Sequence, residues 1–190
     1  LPEMFSTGFS MQPGELAEPP GGPTARWLLD WSRRLGAALA GSVMTRDGAR
    51  CVNRLCFATP DGGLRHYDKR HLFRMAGEHE HYAAGRETLV VEFRGWRIAP
   101  LVCYDLRFPV WSRRRAGYDY DLLVYVANWP ARRAHAWRQL LMARAIENQC
   151  YVAGVNRVGA DGNGIAHDGD SVVHDFLGMP LATLGSEVAT

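Results

Sequence analysis

The chain has 190 residues, and its 22 lysine and arginine side chains against 20 aspartates and glutamates give a formal net charge of +2. This balance disfavours a protein that binds nucleic acids or anionic membranes, and 47% hydrophobic with 22% charged residues excludes a disordered or fibrous chain. The longest apolar run, around residues 122–126, is far shorter than a membrane span, and four cysteines are too few for a disulfide scaffold. We therefore expect one cytoplasmic domain with no membrane or nucleic-acid partner.

The N-terminal half predicts one helix followed by short strands. Apolar residues recur at three- and four-residue spacing over residues 24–39, which predicts an amphipathic helix after the proline- and glycine-rich loop of residues 13–23. The motifs DGG at residues 61–63 and RG at residues 94–95 are typical of hairpin turns. The predicted strands are residues 40–44, 51–58, 88–93 and 96–102.

The C-terminal half alternates helices and strands. A short helix is predicted over residues 109–116 and a longer one over residues 134–149, with Trp137, Leu140, Leu141 and Ile146 on its apolar side. Residues 159–169, rich in glycine, are predicted to be a loop. The remaining predicted strands or extended segments are residues 121–127, 151–155, 171–175 and 181–184. Alternating elements with hairpins among them indicate an α/β fold with mixed sheets.

Cys103 is a candidate nucleophile. A predicted apolar strand stops at this residue, and the chain turns through Asp105 towards a helix that begins near Pro109. A thiol at such a turn lies at the edge of the sheet, close to backbone N–H groups that favour the thiolate. The alternative is that Cys103 is a small buried apolar residue, as free cysteines often are; for the other three cysteines we expect that structural role.

A nucleophilic thiol also needs a proton acceptor and a group that stabilises the oxyanion. No histidine stands in a recognisable pairing with Cys103, but Glu3 lies at the end of a segment expected to be a buried strand, where a charge requires a partner. Lys69 is the only lysine among the 22 basic residues. Because arginine is planar and wider, a retained lysine indicates a position that needs a compact charge, although chance is the alternative.

Three segments together carry a resemblance to a known family. They are residues 1–5 (LPEMF), 67–73 (YDKRHLF) and 103–109 (CYDLRFP), and they resemble the three motifs of the nitrilase superfamily of carbon–nitrogen hydrolases, in the family's order Glu, Lys, Cys. Within it the sequence is most similar to the omega-amidases. That similarity rests on residues 74–79 (RMAGEH), 125–130 (YVANWP) and 143–149 (ARAIENQ).

The resemblance implies a fold, a substrate and an assembly. The fold is a four-layer α-β-β-α sandwich. Residues 1–190 would be a single domain truncated at both ends, lacking the first strand–helix unit and the C-terminal segment, and poorly active by itself. The substrate implied is a small-molecule amide, the omega-amide of 2-oxoglutaramate or 2-oxosuccinamate. The resemblance implies a homodimer and requires no metal or other cofactor.

It also implies roles for site residues. Glu3 would be the general base, Cys103 the nucleophile that forms a thioester, and Lys69 the cation that stabilises the tetrahedral intermediate together with the backbone N–H of Tyr104. Glu78 falls where the family carries a second glutamate that supports the lysine. The alternative for Glu78 is a solvated loop carboxylate.

The substrate's own carboxylate needs a cation. Arg132 follows a predicted strand end that lines the site in the family, and Trp129 could form a wall of the pocket; the alternatives are a solvated arginine and a core tryptophan. Arg107 and Arg113 are interpreted as structural ion-pair partners.

The sequence is compatible with three other functions. Residues 78–81 (EHEH) suggest a metal site, but no third ligand with zinc spacing follows. A non-catalytic interaction domain derived from the fold is possible, although Glu3, Lys69 and Cys103 are all present. A nitrilase or an N-carbamoyl amide hydrolase would carry the same three residues.

Overall fold

The computed structural model describes residues 1–186, which form two large β-sheets packed face to face with helices on their outer sides, and a small two-stranded sheet. The α-helices are Pro13–Leu16 (α1), Pro23–Leu35 (α2), Glu78–His81 (α3), Pro109–Ser112 (α4) and Ala134–Asn148 (α5). Short 3-10 helices span Arg74–Ala76, Cys103–Arg107 and Ala131–Arg133. The strands are Leu39–Asp47 (β1), Arg50–Ala58 (β2), Leu64–Asp68 (β3), Val91–Phe93 (β4), Trp96–Val102 (β5), Leu122–Ala127 (β6), Tyr151–Asn156 (β7), Val158–Ala160 (β8), Ala166–Asp168 (β9), Ser171–His174 (β10) and Pro180–Leu184 (β11).

The two sheets differ in strand direction. The first is an antiparallel meander of β1, β2 and β3. The second has the order β11-β10-β7-β6-β5-β4, in which β5, β6 and β7 are parallel and the outer strands are antiparallel. Helix α2 packs on the first sheet and α5 on the second. The α/β class with mixed sheets and the four-layer sandwich are therefore confirmed.

The main core lies between the two sheets. Leu55 and Tyr67 of the first sheet belong to the same buried cluster as Leu101 and Tyr125 of the second. Each sheet presents an apolar face to the other, and burying one large apolar side chain contributes about 1.5–3 kcal/mol. This contact fixes the first sheet, which carries Lys69 at the end of β3, against the strand that precedes Cys103.

Helix α2 is shorter than its apolar pattern predicts. It ends at Leu35 because Gly36 follows in the left-handed conformation, with φ of 60°. Leu39, expected in the helix, begins β1 instead. Ala25 and Leu28 are buried against the first sheet, whereas Trp27 stays 44% exposed. The helical periodicity was therefore correct, but the predicted end was wrong.

Tertiary contacts shorten or change other predicted elements. The strand predicted over residues 88–93 is paired only from Val91; residues 88–90 belong to no regular element, and Leu89 packs in the core. The helix predicted over residues 109–116 ends at Ser112, and the N–H of Arg114 donates to the side chain of Asn148 instead. The predicted loop of residues 159–169 contains the ribbon β8–β9. Ile146, placed on the apolar side of α5, is 50% exposed.

The parallel strands bring three polar segments to one edge of the second sheet. The carboxyl ends of parallel strands meet at the same edge, where ligands bind in many α/β proteins. Cys103 follows β5, Asn128 follows β6 and Asn156 ends β7. The first sheet adds Lys69 immediately after β3. Within residues 1–186, no helix is long and apolar enough to cross a membrane.

Candidate active site

Glu3 lies in a turn, not at the end of a strand as expected. Its segment is held against β1, where the N–H of Met4 donates to the Ser42 hydroxyl at 2.8 Å and the N–H of Phe5 donates to the Ser42 carbonyl at 3.3 Å. The Glu3 side chain is 1% exposed. Its Oε2 accepts the backbone N–H of Asn128 at 3.0 Å. The carboxylate is therefore fixed by both halves of the molecule.

Lys69 is completely buried between two carboxylates. Its Nζ lies 2.8 Å from Glu3 Oε1 and 2.8 Å from Glu78 Oε2. Burial alone would lower the pKa of this ammonium, but the negative charges of Glu3 and Glu78 outweigh it and raise the pKa. Lys69 is consequently a fixed cation at neutral pH.

Glu78 begins α3 and is fully buried, so it is not a solvated loop carboxylate. Its Oε2 also accepts the N–H of Phe73 at 2.5 Å. Burial, together with the nearby charge of Glu3, raises the pKa of Glu78 against the opposing effect of Lys69. The structure thus brings Glu3, Lys69 and Glu78 into one closed cluster.

Cys103 stands at a strained turn beside this cluster. It follows β5 directly and has a φ of 44°, a left-handed conformation that costs a residue other than glycine roughly 1–3 kcal/mol. Buried Asp105 stabilises the turn by accepting the N–H of Val102 at 3.1 Å and that of His71 at 2.9 Å. The turn after β5 is therefore tied to the segment that follows Lys69.

The environment of Cys103 keeps its thiol protonated. Burial and the adjacent negative charge of Glu3 raise the pKa of Cys103 well above its usual value, although the charge of Lys69 opposes them. A thiol in this setting becomes a nucleophile only when a base removes its proton, and Glu3 is the neighbouring carboxylate. The next residue, Tyr104, places its N–H in the first turn of the 3-10 helix, where such groups have no intrahelical acceptor.

Asn53 is a member of the cluster that the sequence did not indicate. Its Nδ2 donates to Glu3 Oε1 at 2.8 Å and to Glu78 Oε1 at 3.1 Å, and the residue is fully buried on β2. A polar side chain in the otherwise largely apolar strand of residues 51–58 was the available signal.

A cavity of about 660 Å³ opens onto this cluster. Glu3, Lys69 and Cys103 line it, and so does Trp129, which is 3% exposed and also packs on Trp137. Trp129 therefore both lines the cavity and packs in the core. Arg132 lines the cavity as well but is exposed.

Two further arginines line the same cavity. Arg133, which the sequence did not single out, lies over the ring of Phe73 at 4.9 Å. Arg107 lies 5.1 Å over the ring of Trp129 and makes no ion pair within residues 1–186, so its interpretation as an ion-pair partner was wrong. Arg113 does pair with Glu147, at 3.4 Å.

The three arginines of the cavity repel one another. Burial and the charges of Arg132 and Arg107 lower the pKa of Arg133. None of the three has an acidic partner within 4.0 Å in the part of the chain that the structure describes. An anionic group in the cavity would relieve this repulsion.

The EHEH segment is not arranged as a metal site. Glu78 is turned towards Lys69, while His79 and Glu80 are solvent-accessible and adjacent to each other. Among residues 1–186, no group of three potential metal ligands comes together.

Comparison with known proteins decides the family. The sequence model of the carbon–nitrogen hydrolase family matches residues 1–190 of this chain. The chain belongs to the carbon–nitrogen hydrolase family. This hydrolase is 61% identical to omega-amidase YafV of Yersinia enterocolitica, over 94% of this chain and 68% of that protein. It is 37% identical to a 2-oxoglutaramate amidase of Bacillus subtilis, over 85% of this chain and 63% of that one.

A solved structure agrees with the fold of the hydrolase. A CN-hydrolase superfamily protein from Xanthomonas campestris, crystallised with an arsenic adduct in its active site, superposes with a TM-score of 0.95 at 54% identity. The match covers 98% of this chain and 73% of that chain. The expected superfamily, its omega-amidase branch and an enzymatic function are therefore confirmed, and a non-catalytic interaction domain is disfavoured.

Proposed function

We propose that the hydrolase cleaves the omega-amide of a 2-oxo dicarboxylic acid, with 2-oxoglutaramate or 2-oxosuccinamate as substrate, and releases ammonia. The observation that carries this proposal is the set of three arginines, 107, 132 and 133, facing the cavity of Cys103 without acidic partners. A neutral amide would leave these charges uncompensated, whereas an amide with a carboxylate at its other end would not. The names of two relatives, an omega-amidase and a 2-oxoglutaramate amidase, support the same substrate class.

In the proposed mechanism Cys103 is the nucleophile and Glu3 the general base. The sulfur attacks the amide carbon while Glu3 takes the thiol proton, and the carbonyl oxygen becomes an oxyanion. Glu3 then gives the proton to the departing nitrogen, ammonia leaves, and a thioester remains. Water, deprotonated by Glu3, attacks the thioester, and the thiol recovers its proton as the acid leaves. Such proton transfers contribute about 10²–10⁴ in rate.

We assign the oxyanion to Lys69 and the backbone N–H of Tyr104. The ammonium is held between two carboxylates and cannot rotate away, so it costs little reorganisation during the reaction. One preorganised donor of this kind is worth about 2.7–4 kcal/mol of transition-state stabilisation. Glu78 supports this role because both of its oxygens accept from the Lys69 ammonium, at 3.0 and 2.8 Å.

For the substrate carboxylate we propose Arg132 and, more strongly, Arg133. Arg132 is exposed, so its side chain loses more conformational entropy when it holds a ligand. Arg133 is partly buried and lies over the ring of Phe73, so it is already more restricted. Trp129 would form the apolar wall along the carbon chain between the two ends of the substrate.

The substrate proposal is tested by ammonia release from 2-oxoglutaramate, asparagine, an aliphatic nitrile and an N-carbamoyl amino acid. We expect the highest kcat/KM with 2-oxoglutaramate and none with C103A. Preference for the nitrile or the carbamoyl compound would assign another activity of the superfamily. Turnover by C103A would contradict the mechanism.

The anion site is tested with R133M. Losing a charge-assisted hydrogen bond worth about 1.5–3 kcal/mol should raise KM for 2-oxoglutaramate about 10- to 100-fold. KM for butyramide, which has no carboxylate, should stay within a factor of two. R113M, which removes an arginine outside the cavity, is the matched control and should change neither value.

We also propose that the hydrolase is cytoplasmic and a homodimer, as the resemblance implies. All four cysteines are free thiols, in keeping with a reducing compartment. Gly178 of the β10–β11 hairpin packs closely against α5. Around this contact three apolar side chains are at least half exposed: Ile146, Leu177 and Met179. They form an apolar surface that a second copy of the chain could cover. Light scattering of the purified protein should give twice the mass of one chain.

A further inference from the structure

Asn53 forms hydrogen bonds to the catalytic cluster through both its side chain and its backbone. Its amide nitrogen donates one hydrogen to Glu3 Oε1 and the other to Glu78 Oε1, at 2.8 and 3.1 Å. Its backbone carbonyl accepts the N–H of Lys69 at 2.9 Å. Asn53 is therefore hydrogen-bonded to all three charged residues of the cluster, Glu3, Glu78 and Lys69.

We propose that Asn53 is a positioning residue of the reaction: its amide holds the Glu3 carboxylate in place for proton transfer while adding no charge to the site. This inference rests on Glu3 being the general base. The orientation of the amide is determined by its partners, because a flip would turn its oxygen towards two carboxylates.

A neutral donor suits this position for an electrostatic reason. Two carboxylates and one ammonium share a closed space, which leaves one negative charge that Glu3 needs in order to accept the thiol proton. A second lysine or an arginine here would cancel that charge and weaken the base. A primary amide provides two N–H groups on one nitrogen and leaves the charge unchanged.

The position also carries a cost to the fold. Asn53 Oδ1 is buried and has no hydrogen-bond partner among the residues that the structure describes. A buried polar atom without a partner costs about 1–3 kcal/mol of desolvation, which an apolar residue on this strand would avoid. The neighbouring Val52, buried on the same strand, contacts neither carboxylate through a hydrogen bond and provides a matched control position.

The test compares N53L and N53D with V52A. Leucine has nearly the shape of asparagine but no donor, and aspartate keeps the shape but donates one hydrogen only when protonated. For N53L we expect kcat to fall about 10- to 100-fold with KM changed less than threefold, because hydrogen bonds to charged groups are lost. The acidic limb of its kcat/KM profile should move to higher pH, since the carboxylates lose a donor that favours their charged form.

For N53D the loss should grow as pH rises, because ionisation removes the remaining donor and adds a third negative charge. The titratable groups of the cluster are Glu3, Glu78, Lys69 and Cys103, with Tyr82 and Cys51 beside it, and all of them are unchanged in the three variants. V52A should lower the melting temperature but keep the kcat and pH profile of the parent protein.

Two outcomes separate this inference from the proposed function. If C103A and E3Q abolish turnover but folded N53L keeps the parental kcat and pH profile, the positioning role of Asn53 is wrong and the mechanism stands. If E3Q retains turnover, the mechanism itself is wrong, and the Asn53 inference falls with it. Should N53L not fold, the pH dependence of N53D decides, and a constant ratio to the parent activity contradicts the proposal.

Discussion

At the scale of single residues, the site depends on the two ion pairs that the Lys69 ammonium forms with Glu3 and Glu78. Lys69 is fully buried, and its nitrogen is 2.8 Å from an oxygen of Glu3 and 2.8 Å from an oxygen of Glu78. A buried ion pair of this kind is stabilising only while its geometry is maintained, because each charge has lost its hydration. The space therefore fits a compact, tetrahedral cation.

The first prediction replaces Lys69 by arginine. K69R keeps the charge, but the guanidinium is planar and wider. In the same space it cannot direct one N–H to each of the two carboxylates and a third to the oxyanion. We expect kcat/KM to fall by at least about 10²-fold, the loss associated with one oxyanion donor. Steady-state ammonia release measures it, with circular dichroism to verify folding. A loss smaller than tenfold would mean that charge alone suffices at this position.

At the scale of elements, the close packing of α5 on β7 supports the cavity wall that contains Trp129. Gly154 of β7 lies against Trp137 and Leu141 of α5, and a Cβ on Gly154 would be 2.9 Å from the ring of Trp137 and closer still to Leu141. Trp137 in turn packs on Trp129 of the cavity wall. A glycine in the strand thus sets the distance between a helix and the sheet that carries the site.

The second prediction concerns this packing. G154A should destabilise the protein by about 1–3 kcal/mol, because the added methyl group overpacks a closed interface. Urea unfolding monitored by tryptophan fluorescence measures the change. G14A is the control: a Cβ at Gly14 meets no atom within 4 Å, so this variant should be neutral or slightly stabilised. Equal stability of G154A and the parent protein would show that α5 can move outwards freely.

At the scale of the whole molecule, thiols buried in separate layers affect how stability responds to pH. Burial raises the pKa of Cys56, under α2, to about 11 and that of Cys150, at the end of α5, to about 12. In the unfolded chain a thiol ionises near pH 8.5. The unfolded state therefore loses these protons first as the pH rises, and the folded state becomes relatively less stable.

The third prediction follows from this linkage. The contribution of each thiol is complete below about pH 8.5 and should decline above it by about 1 kcal/mol per pH unit. The free energy of unfolding, measured in urea between pH 9 and pH 10, should fall for the parent protein and fall less steeply for C56A. The slope is the readout, since the cavity in C56A shifts all values equally. Identical slopes would contradict the prediction.

The sequence by itself determined the fold class, most elements and the three residues whose motifs stand in family order. Helical and strand periodicity are local properties, so α5 and β5 could be predicted nearly to the residue. Element ends depend on single backbone conformations and distant contacts. The left-handed Gly36 after α2 and the bond from Arg114 to Asn148 after α4 were therefore missed.

Only the tertiary structure decided which polar side chains meet. Asn53 lies 50 residues from Glu3 along the chain and 25 from Glu78, and a buried polar residue in a strand gives no sign of its partners. Arg133 and Arg132 are neighbours in sequence, yet their burial and the position of Arg133 over the Phe73 ring distinguish them. A motif can record which residue types a reaction needs. The distances that relate their charges arise from the packing of the two sheets, which brings segments from all parts of the chain to one edge.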